Sequence, residues 1–246
     1  MKRLLDLVAS LVGLTLGSVI LVPAMIAVWW QDKHSPFYIA TRAARGGGTF
    51  RMVKLRSMRI LADTTGVSST AGDDPRITAV GRFVRKWKLD ELTQLWNVLI
   101  GDMSLVGPRP QVVVDTTYYT GEEKELLSVR PGITDLASIV FSDEGEILRG
   151  AEDPDLKYNQ VVRPWKSRLA LLYVRQKPSV LLDIRIILLT LRTIASREDA
   201  LVAASALVAR LGGGEKLAQV AMRRWPLEPA PPPGATEIVS VVPGRV

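Results

Sequence analysis

The sequence predicts a mainly helical α/β chain, in which an apolar N-terminal helix precedes a small domain of short strands and amphipathic helices. Three observations predict this architecture. Residues 7–30 carry no charge, and two β-type runs flank three consecutive glycines. Apolar residues recur at helical spacing in the later segments. The 246 residues suffice for one large domain or two small ones.

The composition excludes several kinds of active site. The chain has no cysteine and a single histidine, His34. Disulfides, thiolate nucleophiles and cysteine-ligated zinc are therefore excluded. One histidine cannot form a histidine metal cluster, and a serine–histidine triad would depend on His34 alone. Acid–base chemistry is left to carboxylates, lysine and tyrosine.

The net charge of +7 lies entirely in the first half of the chain. Residues 1–110 carry 15 basic and 8 acidic side chains, whereas residues 111–246 carry 17 of each. From Lys33 to Arg59 there are seven basic residues and no acidic one. Such a patch attracts the phosphate groups of a nucleotide, a nucleic acid or an anionic membrane surface.

The uncharged run 7–30 predicts a membrane helix. It would be about 36 Å long as a straight helix, more than the roughly 30 Å hydrocarbon core of a bilayer. Lys2 and Arg3 precede it and Lys33 follows it, and positive flanks mark the cytoplasmic side. Pro23 lies inside the run and favours a kink. A re-entrant helix that breaks at Pro23 and leaves on the same face satisfies both flanks.

Two other interpretations of this segment stay open. A plain spanning anchor would have the same length and composition. A cleaved signal peptide also starts with basic residues and an apolar run. The run is long for a signal peptide, and Trp29-Trp30 ends it as an interfacial anchor would.

The next region predicts a hairpin and a basic helix. Strands are expected near Phe37–Thr41 and Thr49–Leu55, joined by a turn at residues 46–48. The three glycines are not a P-loop, because no Gly-Lys-Ser/Thr follows them. Residues 62–74 are a polar loop, and residues 77–88 are predicted to form a helix that is basic on one side.

Residues 89–100 predict the clearest helix. One apolar sector at 100° per residue contains Leu92, Leu95, Trp96 and Leu99. The opposite sector contains Asp90, Gln94 and Asn97, with Glu91 beside them. We therefore expect both carboxylates on a polar face and the apolar sector buried. Gly101 and Asp102 end the helix.

The remaining segments are predicted to be mostly helical. A short helix is expected at residues 122–127, a strand after the turn in "VRPGITDLASI", and helices at residues 157–176, 180–195 and 201–211. The apolar helix 180–195 is short for spanning and fits an amphipathic helix lying on a membrane or against the core. The proline-rich residues from Arg223 onwards predict a disordered tail.

The adjacent acids Asp90 and Glu91 lie among basic residues. Such a pair is ordinarily a solvated helix face with local ion pairs. Carboxylates also form covalent phosphoryl intermediates, and phosphoryl transfer relies on cations and positioning more than on acid–base catalysis. Arginine matches phosphate geometry. With cysteine and histidine chemistry excluded, the pair suits phosphoryl transfer with Mg²⁺.

Three segments carry a resemblance to a known family. "KLRSM", "DPRITAVGRFVRKWKLDELTQLWNVLIGDMSLVGPRP" and "VRPGIT" resemble the bacterial sugar transferases, the monotopic polyprenyl-phosphate phosphoglycosyl transferases, over about residues 1–195. The resemblance implies that a UDP-sugar binds with Mg²⁺ and that Asp90 attacks the sugar-linked phosphorus and releases UMP. A polyprenyl (undecaprenyl) phosphate then accepts the phosphosugar, which begins assembly of a surface glycan.

The resemblance also implies roles and a location. Asp90 and Glu91 would be catalytic, with Asp90 also a metal ligand. The residues expected to hold phosphate are Arg85 and Arg109, with Lys54, Arg56 and Arg76 in matching basic motifs. The chain would lie in the bacterial inner membrane, in contact with lipids and not with nucleic acid, as a monotopic protein with its catalytic domain on the cytoplasmic face; a homodimer stays open.

Three regions are expected on this basis. Residues 1–32 would be the re-entrant helix, residues 33–196 the catalytic domain, and residues 197–246 an extension with the disordered tail. The segment "ASIVFSDEGEIL" and Asp135 depart from the family pattern where the sugar or nucleotide is expected, so the resemblance leaves the donor undefined.

Two rival interpretations remain. A non-enzymatic basic membrane protein could use the charged first half to bind acidic lipid or nucleic acid, although no nucleic-acid motif is present. A degenerate transferase acting as a scaffold is the other, and the intact Asp-Glu pair argues against it.

Overall fold

The computed structural model describes residues 1–62, 69–177 and 179–242. Helices α1 to α12 span Lys2–Asp32, Ala79–Lys86, Leu89–Leu92, Gln94–Ile100, Val113–Thr117, Leu136–Val140, Glu144–Leu148, Pro154–Lys157, Arg163–Val174, Val180–Ala195, Arg197–Arg210 and Gly214–Met222. Strands β1 to β4 span Phe37–Ala43, Thr49–Leu55, Ser104–Val106 and Gly132–Thr134. Short 3₁₀ segments lie at Arg45–Gly47 and Glu123–Ser128, and a π-helical turn at Tyr158–Val162. The prediction of a mainly helical chain with a few short strands is confirmed.

Two small sheets organise the domain. Strands β1 and β2 form the predicted hairpin, in which Phe37 is opposite Leu55 and Ala43 is opposite Thr49. Gly46 has a φ of 78°, a left-handed conformation that glycine adopts without a steric penalty. Strands β3 and β4 pair in parallel, although residues 107–131 lie between them in the sequence. This second pairing joins the segments that contain "VGPRP" and "VRPGIT".

Both ends of α1 are bound to the same domain. Near its start, Lys2 forms a 2.8 Å ion pair with Asp183, and Asp6 accepts hydrogen bonds from Ser104 Oγ and the Leu105 N–H. At its other end, a bidentate ion pair joins Asp32 to Arg56. Between these contacts, Leu21 and Val28 pack against Leu55, Val84 and Leu89. Helix α1 therefore lies along the domain and does not project from it.

Among the described residues, α1 is the helix that is long and apolar enough to cross a membrane, with a mean hydropathy of 2.4 in its most apolar window. The helix continues through Pro23 without interruption, so the break expected there stays a prediction. Beyond its end, the Lys33 ammonium lies 3.7 Å from the centre of the Trp30 ring. Tryptophan at this position is typical of a helix end at the membrane–water interface.

A broad apolar surface surrounds α1. Its own exposed apolar side chains include Leu4, Val8, Leu11, Leu16, Val19, Ile26 and Trp30. Nearby elements add Phe83, Trp87, Trp96, Ile100, Leu181, Leu188, Leu191 and Ile194. The amphipathic helix predicted at 180–195 has these bounds in the structure, with Leu182, Asp183 and Ile186 buried on its other face. These surfaces indicate that the protein associates with a membrane.

The C-terminal extension is part of the main core. Ala204, Leu207 and Val208 of α11 and Leu217 of α12 are buried in the same cluster as Leu169 of α9. Helix α11 packs against α10 and α6, and α12 packs against α9. The sequence predicted an extension from residue 197 and missed α12. Since α11 and α12 fill the core, residues 197–222 are not a separate unit.

The proline-rich segment contrasts with the prediction of disorder. The Ala230 N–H donates to Gln160 O, and the Gln160 side chain donates to Val239 O. Trp165 Nε1 donates to Glu228 O, and Ala230 is buried. Proline lacks a backbone N–H but keeps its carbonyl group. Hydrogen bonds to backbone atoms of this segment therefore hold it against the π-helical turn and α9.

The polar loop and three predicted helical segments complete the comparison with the sequence. Within the polar loop 62–74, residues 63–68 lie outside the described residues. The predicted helix 89–100 is two helices, α3 and α4, separated at Thr93. The helix predicted at 77–88 and the short helical segment at 122–127 are both present, with slightly different bounds.

Candidate active site

A cavity of about 880 Å³ lies beside the Asp-Glu pair. It is lined by five of the residues selected from the sequence: Lys54, Arg85, Asp90, Glu91 and Arg109. We call these residues together with Lys88 the basic wall. A second group of lining residues, called here the polar wall, contains Asp135, Ser138, Glu144, Tyr158 and Lys166.

Side chains from α3 and α4 fix the Asp-Glu pair beside β2. Thr93 Oγ1 donates to Val53 O at 3.0 Å. Asn97 Oδ1 accepts from the Val53 N–H, and its Nδ2 donates to Arg51 O. Because these bonds join the helices to the edge of β2, Lys54 comes next to the carboxylates.

The prediction of a polar face and a buried apolar sector for residues 89–100 is partly wrong. Gln94 and Asn97 are each 1% exposed, whereas Trp96 is 50% exposed. Asn97 is buried because its amide completes the hydrogen bonding of β2. Trp96 belongs to the apolar surface around α1, so it faces outward where the sequence pattern placed it inside.

Arg109 is fixed by close contact between two backbone segments. The Gly132 N–H donates to Pro108 O at 2.8 Å, and the Gly107 N–H donates to Thr134 O at 3.0 Å. A Cβ atom on Gly132 would lie 2.1 Å from the Gly107 nitrogen, so this approach requires glycine. The pairing of β3 with β4 therefore holds Arg109, which lies between Pro108 and Pro110.

Arg109 is paired with Glu91. Its Nη2 donates to Glu91 Oε1 at 2.5 Å. Burial by itself would raise the pKa of Glu91, but the positive charges of Arg109 and Lys88 and this hydrogen bond lower it to about 2. The Glu91 charge in turn raises the pKa of Arg109. Glu91 is thus an ionised carboxylate with a fixed partner.

Asp90 is in a different state. Among the described residues, none donates a hydrogen bond to its carboxylate or forms an ion pair with it. Burial raises the pKa of Asp90, and the Glu91 carboxylate adds to the rise. The positive charges of Lys54, Arg85 and Arg109 oppose this rise without reversing it. The effect of burial is therefore larger than that of the basic neighbours.

Lys54 lies beside both carboxylates and has an unusual pKa. Burial, assisted by the charge of Arg109, lowers the pKa of Lys54 to about 8. The carboxylates of Asp90 and Glu91 act in the opposite direction. The ammonium is therefore charged at neutral pH but titrates near the upper end of the physiological range.

Two residues selected from the basic motifs lie elsewhere. Arg56 is buried in its ion pair with Asp32 and holds the end of α1. Arg76 forms a bidentate pair with Asp74 and donates to Ser69 O. Neither side chain lines the cavity, so the structure does not place them with Arg85 and Arg109. An arginine's partner depends on the tertiary fold, which the motif does not contain.

Sequence reasoning missed other cavity residues. On the basic side these include Arg42, Arg82, Lys86 and Lys88. All of these lay in the positive first half, which was the signal available for them. For the polar wall, the sequence contained one indication, which is that the segment following "VRPGIT" departs from the family pattern. Residues 135–146 do line the cavity in large part.

The carboxylates of the cavity bear on the expected Mg²⁺ site. The described residues contain no group of three or more histidine, aspartate or glutamate side chains placed to hold a metal ion. Mg²⁺, however, is commonly bound by one or two carboxylates together with substrate phosphates. Asp90, whose carboxylate is open to the cavity, fits a cation that enters with a diphosphate.

Comparison with known proteins gives a consistent result. The family model described as "Bacterial sugar transferase" matches residues 1–197. A galactosyl transferase of Streptococcus agalactiae is 35% identical over 208 residues, which are 78% of this chain and 42% of that protein. A UDP-glucose:undecaprenyl-phosphate glucose-1-phosphate transferase of Caulobacter vibrioides is 36% identical over 187 residues, which are 73% of this chain and 69% of that protein. The chain thus spans less than half of the streptococcal relative.

Proposed function

Because this chain belongs to the bacterial sugar transferase family, we propose that it transfers a sugar-1-phosphate from a UDP-sugar to a polyprenyl phosphate, with Asp90 as a covalent nucleophile. The product is a polyprenyl-diphosphate-sugar that begins a surface glycan, and UMP is released. The Caulobacter relative is named for the same type of donor and acceptor, which supports the proposal.

One observation carries the assignment of the nucleophile. Of the two adjacent carboxylates, Glu91 is held by Arg109 at 2.5 Å, whereas Asp90 has no hydrogen-bond or ion-pair partner among the described residues. The Asp90 carboxylate is open to the cavity and can attack, whereas the ion pair with Arg109 fixes the orientation of Glu91 and makes it a weaker nucleophile. Burial also makes Asp90 a stronger base than an exposed aspartate.

The proposed reaction has two displacements at one phosphorus. An Asp90 carboxylate oxygen attacks the sugar-linked phosphorus, and the bond from that phosphorus to the bridging oxygen breaks, so that UMP leaves with the bonding electrons. A phosphate oxygen of the polyprenyl phosphate then attacks the same phosphorus, and the Asp90 carboxylate leaves. Negative charge spreads over the phosphoryl oxygens in both steps. Arg85 and Lys54 of the basic wall provide positive charge for them.

The bond between Arg109 and Glu91 suggests a positioning role for Glu91. Arginine offers a planar set of donors, and one edge can bind Glu91 while the other binds phosphate. Mg²⁺, held by Asp90 and the donor diphosphate, would neutralise charge on the leaving group when it is bound. The proposal therefore assigns binding and orientation to the basic wall and attack to Asp90.

The proposal includes a location at the cytoplasmic face of the bacterial inner membrane. The basic flanks of α1 favour the cytoplasmic side, and both ends of α1 contact the same domain. The chain has no cysteine, so Lys2→Cys and Lys33→Cys are single-cysteine variants. We expect both to react only with reagents that reach the cytoplasm; labelling of position 2 from outside would instead indicate a spanning helix.

The proposed function is tested by UMP release from a panel of UDP-sugars, with and without polyprenyl phosphate. We expect at least one donor to give a burst of UMP without acceptor, no larger than the amount of enzyme, followed by turnover when the acceptor is added. A two-step mechanism predicts such ping-pong behaviour. Absence of UMP release with every donor would contradict the proposal.

A further inference from the structure

The polar wall contains a partly buried ion pair that the proposed chemistry does not use. Lys166 Nζ lies 2.6 Å from Glu144 Oε2, and the two side chains are 14% and 30% exposed. Lys166 comes from α9, and Glu144 is the first residue of α7. The same ammonium lies 5.6 Å from the centre of the Tyr158 ring. All three side chains line the cavity.

This cluster retains hydrogen-bonding capacity. The Lys166 ammonium has three N–H donors, and its contact with Glu144 uses one of them. Glu144 Oε1 and the Tyr158 hydroxyl make no hydrogen bond within the described part of the chain. Glu144 and Tyr158 are partly exposed and line the cavity, so these atoms are accessible to a bound molecule. Spare donors and acceptors beside one another in a cavity therefore indicate a polar ligand.

The charge of the cluster indicates which part of the ligand it would take. Burial would raise the pKa of Glu144, but the Lys166 charge lowers it, and the Glu144 charge raises the pKa of Lys166. Both groups are therefore ionised and their charges cancel. The positive charges of Arg109 and Arg85 reach Glu144 across the cavity. A diphosphate belongs beside those arginines, whereas a neutral pair suits the uncharged hydroxyl-bearing part of the same molecule.

We propose that Glu144, Lys166 and Tyr158 form a hydroxyl-recognition subsite that binds vicinal hydroxyl groups of the donor. The inference rests on the proposed function of the cavity. A UDP-sugar carries such hydroxyls on its sugar and on its ribose. A carboxylate acceptor beside an ammonium donor can bind two adjacent hydroxyls at once. A site that hydrogen-bonds a substrate hydroxyl discriminates strongly against an analogue that lacks it.

The test uses Tyr158→Phe, which removes one hydroxyl and keeps the ring, and Glu144→Gln, which keeps the shape and removes the charge. The matched control is Glu125→Gln, because Glu125 also pairs with a basic residue, Arg175, but outside the cavity. Each variant is assayed for UMP release with UDP-glucose and UDP-galactose, which differ at one hydroxyl. Binding of UMP and of each donor is measured by calorimetry in an Asp90→Asn background, where no turnover is expected.

If the subsite holds the sugar, roughly tenfold weaker donor binding and altered preference between the two donors are expected, with unchanged UMP binding. If it holds the ribose, the affinities for UMP and both donors fall together by a similar factor. Either pattern supports the subsite. Unchanged affinities and preference in Tyr158→Phe and Glu144→Gln, in a protein whose unmodified form releases UMP, would overturn it. Failure of the proposed function is distinguishable, since the unmodified protein would then release no UMP.

Discussion

The two walls of the cavity are built in different ways. The basic wall comes from residues 54–109, and its side chains are fixed by short backbone and side-chain contacts among β2, α3, α4 and the pairing of β3 with β4. The polar wall comes from residues 135–166, and α11 and α12 pack behind its helices. The comparison indicates that the residues of the basic wall come largely from one motif-rich stretch of the sequence, whereas the polar wall is assembled by the packing of helices that are distant in sequence.

The largest expected effect is at Asp90. In Asp90→Asn we expect loss of the UMP burst and a fall in turnover of roughly 10⁴-fold or more, because the amide has almost the same shape and is a poor nucleophile. Glu91→Gln should slow turnover less, by roughly ten- to a hundredfold, because it frees Arg109 but leaves the attacking group. Stopped-flow measurement of UMP release compares them. Equal losses in both variants would mean that the two carboxylates act as one unit.

The next largest effect concerns the planar guanidinium group of Arg109. Arg109→Lys keeps the positive charge but cannot bind Glu91 and a phosphate oxygen with one planar group. We expect a roughly hundredfold loss in kcat/KM for the donor, equivalent to a few kcal/mol in the transition state. Arg175→Lys is the control, because Arg175 forms exposed ion pairs away from the cavity. Near-normal turnover of Arg109→Lys would remove Arg109 from the phosphate site.

The basic wall also predicts a pH dependence. The pKa of Lys54 is about 8 in the free protein, and the charged ammonium is the form that attracts the diphosphate. The value of kcat/KM for the donor should therefore fall as the pH rises through about 8, by up to tenfold per pH unit. In Lys54→Arg, whose guanidinium stays charged, this decline should disappear. In the control variant Lys124→Arg, which leaves Lys54 in place, the decline should persist. A pH profile that is the same in Lys54→Arg as in the unmodified protein would assign the decline to another group.

The smallest effect on activity is expected from the packing behind the polar wall. Leu207 of α11 is buried in the main core, and Leu207→Ala should lower the thermal midpoint in detergent by roughly 5–15 °C. Val202 on the same helix is exposed, so Val202→Ala should change it by no more than about 2 °C. Both variants should keep the burst. Equal midpoints for the two variants would show that α11 does not contribute to the core.

Much of the basic wall could be predicted from the sequence because its signals are local. The hairpin and the Asp-Glu pair are both encoded within short segments. The prediction for Trp96 was wrong because helical periodicity assumes that apolar residues are buried from water, whereas this tryptophan lies on the apolar surface around α1. Arg56 and Arg76 do not line the cavity, and each pairs with an acid, Asp32 and Asp74 respectively.

The polar wall and the extension were less accessible to such reasoning. Glu144 and Lys166 are 22 residues apart, and no local pattern indicates that α7 and α9 bring them together. The tail was predicted to be disordered from its prolines, yet proline retains its carbonyl, and the carbonyls of Glu228 and Pro233 accept hydrogen bonds from Trp165 and Thr120. Composition describes what a segment can do alone, and here the domain surface supplies the partners.

The central claim is that Asp90 becomes covalently bonded to the phosphosugar. The most direct measurement is the intact mass of the protein after incubation with a UDP-sugar that supports UMP release and Mg²⁺, without polyprenyl phosphate, followed by peptide mapping. The account predicts a mass increase of one phosphosugar, located on Asp90 and lost when the acceptor is added. An adduct on Glu91, or UMP release that requires both substrates together and leaves no adduct, would contradict it.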